Sequence, residues 1–153
     1  MRTSEEKPGN IYKTARRFAG LTQERWAEAV GVSVDSIRTY ENGSVIPTDA
    51  TVAAMCEISN HTALGYWHIR GKSGLAADTL PEVEQLPLPQ AVIQLLCAVN
   101  EFKDLHGDLL ALAADGRITG DELAVWDNIV ARLDRIIQSA IQVKVAEGGG
   151  SHA

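Results

Sequence analysis

The sequence predicts an all-α protein made of two modules. Apolar residues recur at steps of three and four on both sides of a central segment, which is the spacing of amphipathic helices. No run alternates apolar and polar residues as a strand would. The central segment, RGKSGLAADTLPEVEQLPLP, holds two glycines and three prolines without a sustained helical period. We therefore predict a first module over residues 10–70, a linker over 71–87 and a second module over 88–146.

The first module is predicted to contain five short helices. Each has a polar residue suited to cap its start, and Gly20, Gly31 and Gly43 provide stops after the first three. The predicted helices run from Asn10 to about Ala19, from Thr22 to about Val30, from Ser33 to about Asn42, from Thr48 to about Ser59, and from Asn60 or Thr62 through Leu64, Trp67 and His68. Because each is short, packing rather than propensity has to hold it.

The second module is predicted to be an antiparallel hairpin of two long helices. The helices run from about Pro89 to Ala114 and from about Thr119 or Gly120 to Val145, with a turn at Ala114–Arg117. The residues expected on their inner faces are Val92, Leu95, Leu96, Val99, Phe102, Leu105, Leu109 and Leu112, and Leu123, Trp126, Val130, Leu133, Ile137 and Ile141. We expect the tail, residues 147–153, to be disordered.

Further apolar positions predict a second buried face on the hairpin. They are Ile93, Val125, Ile129 and Ile136. A lone hairpin buries only one stripe of each helix, so a second face implies another surface. The simplest such surface is the same hairpin of a second chain, which would make a homodimer through residues 88–146. The alternative is that this face packs on the first module.

Charge is divided unequally between the modules. The chain carries a net charge of −6. Residues 1–72 hold nine Lys/Arg against eight Asp/Glu, whereas residues 73–153 hold five against twelve. The asymmetry indicates two modules with different tasks. The first module is not basic enough for charge alone to predict nucleic-acid binding.

Composition and motifs argue against several classes of protein. No apolar run approaches the length of a membrane span, and the charged start MRTSEEKPGN is unlike a secretory signal. Cys56 and Cys97 are expected to be reduced thiols of a cytoplasmic protein, in preference to a disulfide or a metal pair. The four histidines lack the spacing of metal ligands. We expect no catalytic residues, no metal, no cofactor and no enzymatic activity.

The segment from Gln23 to Tyr40 has the spacing of a helix-turn-helix motif. Ala27 lies where two helices must cross closely, and Gly31 lies where the chain turns with a positive φ. Ile37 and Tyr40 face back to the core from the second helix. This combination of small residue, turn glycine and branched apolar residue is typical of the motif.

These residues resemble the Cro/C1-type, or XRE, helix-turn-helix family of repressors. The resemblance covers residues 10–70. The matching elements are Gly20-Leu21-Thr22-Gln23, Ala27, Gly31-Val32-Ser33, Ile37, Tyr40-Glu41-Asn42-Gly43 and Pro47. Trp26 departs from the family, which mostly has Leu there, and we interpret it as a larger core residue. The resemblance implies a five-helix, lambda-repressor-like DNA-binding domain.

The family resemblance also implies the roles of individual residues. The second helix of the motif would lie in the DNA major groove. Base contacts would come from Val34, Asp35, Arg38 and Thr39, and phosphate contacts from Gln23, Ser33, Asn42 and Ser44. Two of these residues also have a structural interpretation. Asp35 suits the start of its own helix, and Ser33 suits a cap. Arg16 would pair with Glu41 as a scaffold.

These interpretations together predict a transcriptional regulator, most simply a repressor of phage or mobile-element type. It would bind a near-palindromic DNA site as a homodimer. One alternative is an antitoxin or adaptor whose hairpin binds another protein. A second alternative is a ligand-sensing regulator with a small molecule near Trp126 or Trp67.

Overall fold

The computed structural model describes residues 9–147, and over this range the chain is all-α. Its helices are α1 (Ile11–Phe18), α2 (Gln23–Val30), α3 (Val34–Glu41), α4 (Asp49–Ser59), α5 (Leu64–Gly71), α6 (Gly74–Thr79), α7 (Leu88–Lys103), α8 (His106–Asp115) and α9 (Leu123–Lys144), with a 3₁₀ turn at Gly120–Glu122 before α9. By internal contacts the chain divides into two compact units, Met1–Ala77 and Asp78–Ala153.

The first four helices of the first unit begin at the predicted caps. The side chain of Asn10 accepts hydrogen bonds from the backbone N–H groups of Tyr12 and Lys13, at 3.0 and 3.1 Å. Thr22, Ser33 and Thr48 each accept one from the residue three positions on. Each bond satisfies a donor that the first turn of a helix leaves unpaired. The first four predicted starts are therefore confirmed.

The core of the first unit lies where α1 to α5 meet. Its largest fully buried side chains are Trp26, Ile37, Met55 and Leu64. Ala27 is 2 % exposed, and its small side chain allows α2 and α3 to cross closely. The backbone at Gly31 has φ +80°, a conformation that costs glycine little. The helix-turn-helix geometry predicted from these spacings is thus present.

The start of the fifth helix differs from the prediction. Asn60 has φ +52° and ends α4 in the left-handed conformation instead of capping the next helix. α5 begins at Leu64, after Ala63, without a side-chain cap. Asn fits either role, because its short polar side chain also tolerates this backbone conformation.

The second unit is built on the antiparallel pair α7 and α9. The backbone N–H of Glu147 donates to Leu86 O at 3.0 Å, so the end of α9 lies beside the start of α7. Farther along, Arg132 Nη1 donates to Glu101 Oε2 at 3.0 Å. The antiparallel packing predicted for the hairpin is therefore present.

The first arm of the hairpin is broken, so the prediction of one helix from Pro89 to Ala114 is wrong. α7 ends at Lys103 and α8 starts at His106. At the break, the N–H of Leu105 bonds to Phe102 O, three residues back, at 3.0 Å. Gly107 just after it lowers local helix propensity by about 1 kcal/mol relative to alanine.

The segments on either side of the predicted hairpin are more ordered than predicted. The linker predicted over 71–87 contains α6, and Val83 within it is 3 % exposed. Gln138 Nε2 donates to Glu82 O at 2.8 Å and ties this segment to α9. Of the tail predicted to be disordered, Glu147 is bonded to Leu86, and residues 148–153 lie outside the described residues.

Only part of the prediction for the buried seam between α7 and α9 holds: Leu105 is buried as predicted, but the other buried residues of the seam are not the ones predicted. Ala91 and Ala98 are buried on α7, and Ile129 is buried on α9. Large residues predicted for the inner stripe are exposed instead: Val92, Leu96, Val99, Leu123, Trp126, Leu133 and Ile137. Ile129, which is predicted for the second face, lies in the seam, and Ile93 of that second face is 61 % exposed. Small residues at the seam let the helices approach closely, which leaves the larger ones outside.

Candidate nucleic-acid interface

The outward face of α3 carries a row of three polar side chains. Asp35, Arg38 and Asn42 are exposed, while Ile37 on the opposite side is fully buried. Their spacing of three and four residues places them on one face of the helix. The row is therefore the surface that α3 can present to a partner.

Asp35 and Arg38 form an ion pair within this row. Arg38 Nη1 donates to Asp35 Oδ1 at 2.9 Å, and the two side chains are 57 % and 86 % exposed respectively. Exposed pairs of this kind contribute at most about 1 kcal/mol. A DNA phosphate or a base edge can therefore replace Asp35 as the partner of Arg38 at little cost.

Val34 and Thr39 lie at the edges of the outward face. Val34 is half-buried and packs against the core of the first unit. Thr39 is also half-buried, and its hydroxyl donates to Ser36 O at 2.8 Å. Both are less available to a partner than Asp35 and Arg38.

The ends of α3 hold the two serines assigned to phosphate contacts. Ser33 Oγ accepts from the N–H of Ser36 at 3.0 Å, which makes it the cap of the helix. At the other end, Asn42 Oδ1 accepts from the N–H of Ser44 at 2.8 Å and from its hydroxyl at 2.5 Å. Gly43 between them has φ +80°. These bonds fix a tight turn that exposes the Asn42 side chain beside α3.

Gln23 belongs to a buried network around Glu41. Glu41 accepts from Arg16 Nε at 2.5 Å and Nη2 at 3.2 Å, and from Gln23 Nε2 at 2.8 Å. Arg16 Nη1 also donates to Leu21 O at 2.7 Å. The network joins α1, α2 and α3, so it fixes the orientation of α3. The side-chain amide of Gln23 donates into this network, which limits the hydrogen bonds that this side chain can offer to a phosphate.

The same network sets the ionisation of Glu41. Burial raises the pKa of its carboxyl group, but hydrogen bonds from Arg16 and Gln23 and the charge of Arg16 outweigh that effect. The pKa therefore lies below its ordinary value of 4.5. A carboxyl group whose pKa is lower in the folded than in the unfolded protein stabilises the fold at pH values above its unfolded-state pKa. This stabilisation is lost as the pH falls through the folded-state pKa.

Acid titration should reveal this contribution. The free energy of unfolding of the wild-type protein is expected to fall as the pH drops below about 4.5, because Glu41 must then be protonated inside its network. Glu41→Gln should show a shallower decline over the same range. The measurement is urea denaturation followed by circular dichroism at a series of pH values. Equal slopes for both proteins would contradict the assigned role of Glu41.

Two sets of contacts in the first unit were missed by sequence reasoning. His68 is buried, with Nδ1 2.9 Å from the hydroxyl of Tyr12 and Nε2 2.9 Å from Asp49 Oδ1, and Lys72 also binds Asp49. The residues are far apart in the chain, so no local pattern indicates the cluster. Asn10 Nδ2 donates to Tyr40 O at 2.7 Å, a contact that its predicted role as a cap did not suggest.

Comparison with known proteins places the motif in a family. The family described as "Helix-turn-helix domain" matches residues 13–61, about a third of the chain. This match confirms that the chain carries a helix-turn-helix domain. No curated protein and no solved structure matches the chain significantly.

Two further observations concern the described residues as a whole. Within residues 9–147, no helix combines the length and the apolar character required to span a membrane. In the same range, His, Cys, Asp and Glu side chains form no group of three or more that is suited to hold a metal ion.

Proposed function

We propose that this protein is a cytoplasmic, sequence-specific transcriptional regulator, most simply a repressor. The observation that carries the proposal is the exposed polar row on α3 within a domain that matches the helix-turn-helix family. In such domains the second helix of the motif enters the major groove of DNA. The DNA-binding domain extends over residues 10–70.

The chemistry of the row suits recognition of DNA. The guanidinium of Arg38 can donate two hydrogen bonds to guanine or one to a phosphate, and Asp35 can accept from a cytosine amino group. At the edge of the groove, Val34 would make an apolar contact and the hydroxyl of Thr39 would make a polar one. Ser33, Asn42, Ser44 and the backbone N–H of Gln23 would contact phosphates, which fix the register without reading sequence.

A homodimer is part of the proposal. The first module is close to neutral, so a single copy should bind DNA weakly at physiological salt. Two copies joined through residues 88–146 would place two α3 helices about one helical turn, roughly 34 Å, apart on a near-palindromic site. The apolar side chains exposed on α7 and α9 support association of the second unit with a partner.

Selection of binding sites from a random duplex library tests the proposed function. The purified protein should enrich a two-fold-symmetric site at near-physiological salt, and the spacing of its half-sites would give the dimer geometry. A single asymmetric site would retain DNA recognition but contradict the dimer. Absence of any enrichment by folded protein would favour the adaptor or antitoxin alternative, for which the exposed side chains of α7 and α9 would be the binding surface.

Substitutions in the outward row should weaken binding to the selected site. We expect Arg38→Ala and Asn42→Ala each to raise the Kd by about tenfold or more, since each removes a hydrogen bond to a charged phosphate or a base. Gel-shift titration at fixed salt measures the change. Arg25→Ala is the matched control, because Arg25 is exposed on α2 and paired with Glu28. Unchanged affinity in both test variants would show that the proposed docking is wrong.

A further inference from the structure

The second unit has an apolar stripe on one side of the α7–α9 pair. We define the stripe as Val92, Leu96 and Val99 of α7 with Leu133 and Ile137 of α9. These side chains are between 37 % and 63 % exposed. Steps of three and four residues align each set along its helix. Single exposed apolar residues are ordinary, but an aligned set of five marks an interaction surface.

The two halves of the stripe lie at the same level and on the same side. Contacts of Leu86 with Glu147 and of Glu101 with Arg132 fix the register, so Leu96 lies opposite Ile137 and Val99 lies near Leu133. Viewed from the N-terminus of either helix, the stripe lies clockwise from the buried seam. Because the helices are antiparallel, equal rotation brings both halves to one side of the pair.

The opposite side of the pair is charged. Glu101 accepts from Arg132 at 3.0 Å and also from Arg135, and these three side chains lie across the seam from the stripe. The stripe itself contains no carboxylate. This separation matters because residues 73–153 hold twelve acidic against five basic residues. A second copy docked on the stripe would keep Glu101 away from the interface, and Asp134, which follows Leu133, would lie at its edge.

The area of the stripe is sufficient for a modest homodimer. The exposed parts of its side chains, together with half-buried neighbours such as Val130 and Ile141, amount to roughly 500 Å² per chain, which is within the range of functional apolar patches. Pairing two such surfaces would bury about 1,000 Å², near the lower limit for a specific interface. A two-fold dimer requires a surface that complements itself, and five apolar side chains place no like charges against one another.

We infer that the stripe is the surface on which a second copy of this chain docks, forming a four-helix arrangement from two α7–α9 pairs. The inference rests on the proposed function in one respect, since that function requires a dimer. It goes further by assigning the interface to one side of the pair and by leaving the Glu101 side open to solvent.

Lysine substitutions on the two sides of the pair test this assignment. Leu96→Lys and Leu133→Lys place a charge in the stripe, whereas Gln90→Lys and Ala131→Lys place the same charge at exposed positions away from it. Sedimentation equilibrium of the full chain measures the dimer dissociation constant. We expect at least a hundredfold increase for each stripe variant and less than a threefold change for each control. Circular dichroism checks that all variants keep their helix content, and the milder Leu96→Ser should give an intermediate effect.

The outcomes separate this inference from the proposed function. A monomeric wild-type chain, or stripe variants that dimerise like the wild type, would overturn the inference whatever the DNA result. Equal weakening by control and stripe variants would also overturn it, because the interface would then not be confined to one side. If the wild type dimerises through the stripe but selects no DNA site, the inference stands and the proposed function fails.

Discussion

Arg16→Ala is expected to lower the free energy of unfolding by about 3–5 kcal/mol, the cost of leaving a buried charge without its partner. The Glu41 side chain is 4 % exposed, and Arg16 supplies two of its three side-chain hydrogen bonds. The variant also leaves Leu21 O without its bond from Arg16. Urea denaturation at neutral pH should show a lower midpoint with an unchanged m value.

The double variant Arg16→Met with Glu41→Gln is the control for this prediction. It removes both charges and keeps comparable volume, so it should cost much less than Arg16→Ala. A loss below about 1 kcal/mol for Arg16→Ala would mean that the pair behaves like a surface salt bridge. Arg16 and Glu41 would then contribute little to holding α3 in place.

Trp26→Ala is expected to cost about 3–5 kcal/mol of unfolding free energy, or to prevent folding of the first unit altogether. Trp26 is 0 % exposed and is among the largest buried side chains of the core. Its removal would leave a large cavity between α2 and its neighbours. Because the whole free energy of unfolding of a domain is commonly 5–15 kcal/mol, this loss should be plain in thermal unfolding monitored by circular dichroism.

Trp26→Phe separates the volume of the ring from its polar group. Among the described residues, Trp26 Nε1 is buried without a hydrogen-bond partner. Phenylalanine removes that unpaired donor while it keeps most of the apolar contact, so the change should cost less than about 2 kcal/mol. If Trp26→Phe destabilises as much as Trp26→Ala, the indole N–H has a favourable contact that this interpretation leaves out.

The first unit could be predicted closely because its signals are local. Thr22, Ser33 and Thr48 each cap a helix through a bond that spans three residues, and Gly31 marks a turn that needs a positive φ. Asn60 was misassigned because the same side chain suits the end of one helix and the start of the next. Neighbouring residues alone do not resolve that ambiguity.

The second unit was predicted less well because both sides of its helices are apolar. Periodicity identifies a stripe but not which of two stripes lies at the seam. The three- and four-residue spacing predicts Leu96 and Ile137 on the inside, whereas the structure buries Ala91 and Ala98 there. Close approach of two helices favours small residues, and that preference is visible only once the partner helix is known.

The exposed positions of the candidate interface could be predicted from the sequence, but the hydrogen bonds that its side chains make could not. The resemblance indicated α3 and its exposed positions, including Asp35 and Arg38. It did not indicate that Thr39 donates to the backbone of its own helix or that Gln23 donates to Glu41. These bonds depend on rotamers and on distances between helices, which residue spacing alone does not define.

Asn10 shows how one position can carry two structural requirements at once. Its carbonyl oxygen accepts from the first turn of α1, while its amide nitrogen donates to Tyr40 O near the end of α3. Serine and aspartate cap helices as well as asparagine does, but an ionised aspartate cannot donate and a serine hydroxyl is too short to replace both groups. Fewer amino acids should therefore be tolerated at position 10 than its capping role alone implies. Sequence libraries that vary position 10 should retain asparagine even when the other helix caps vary freely.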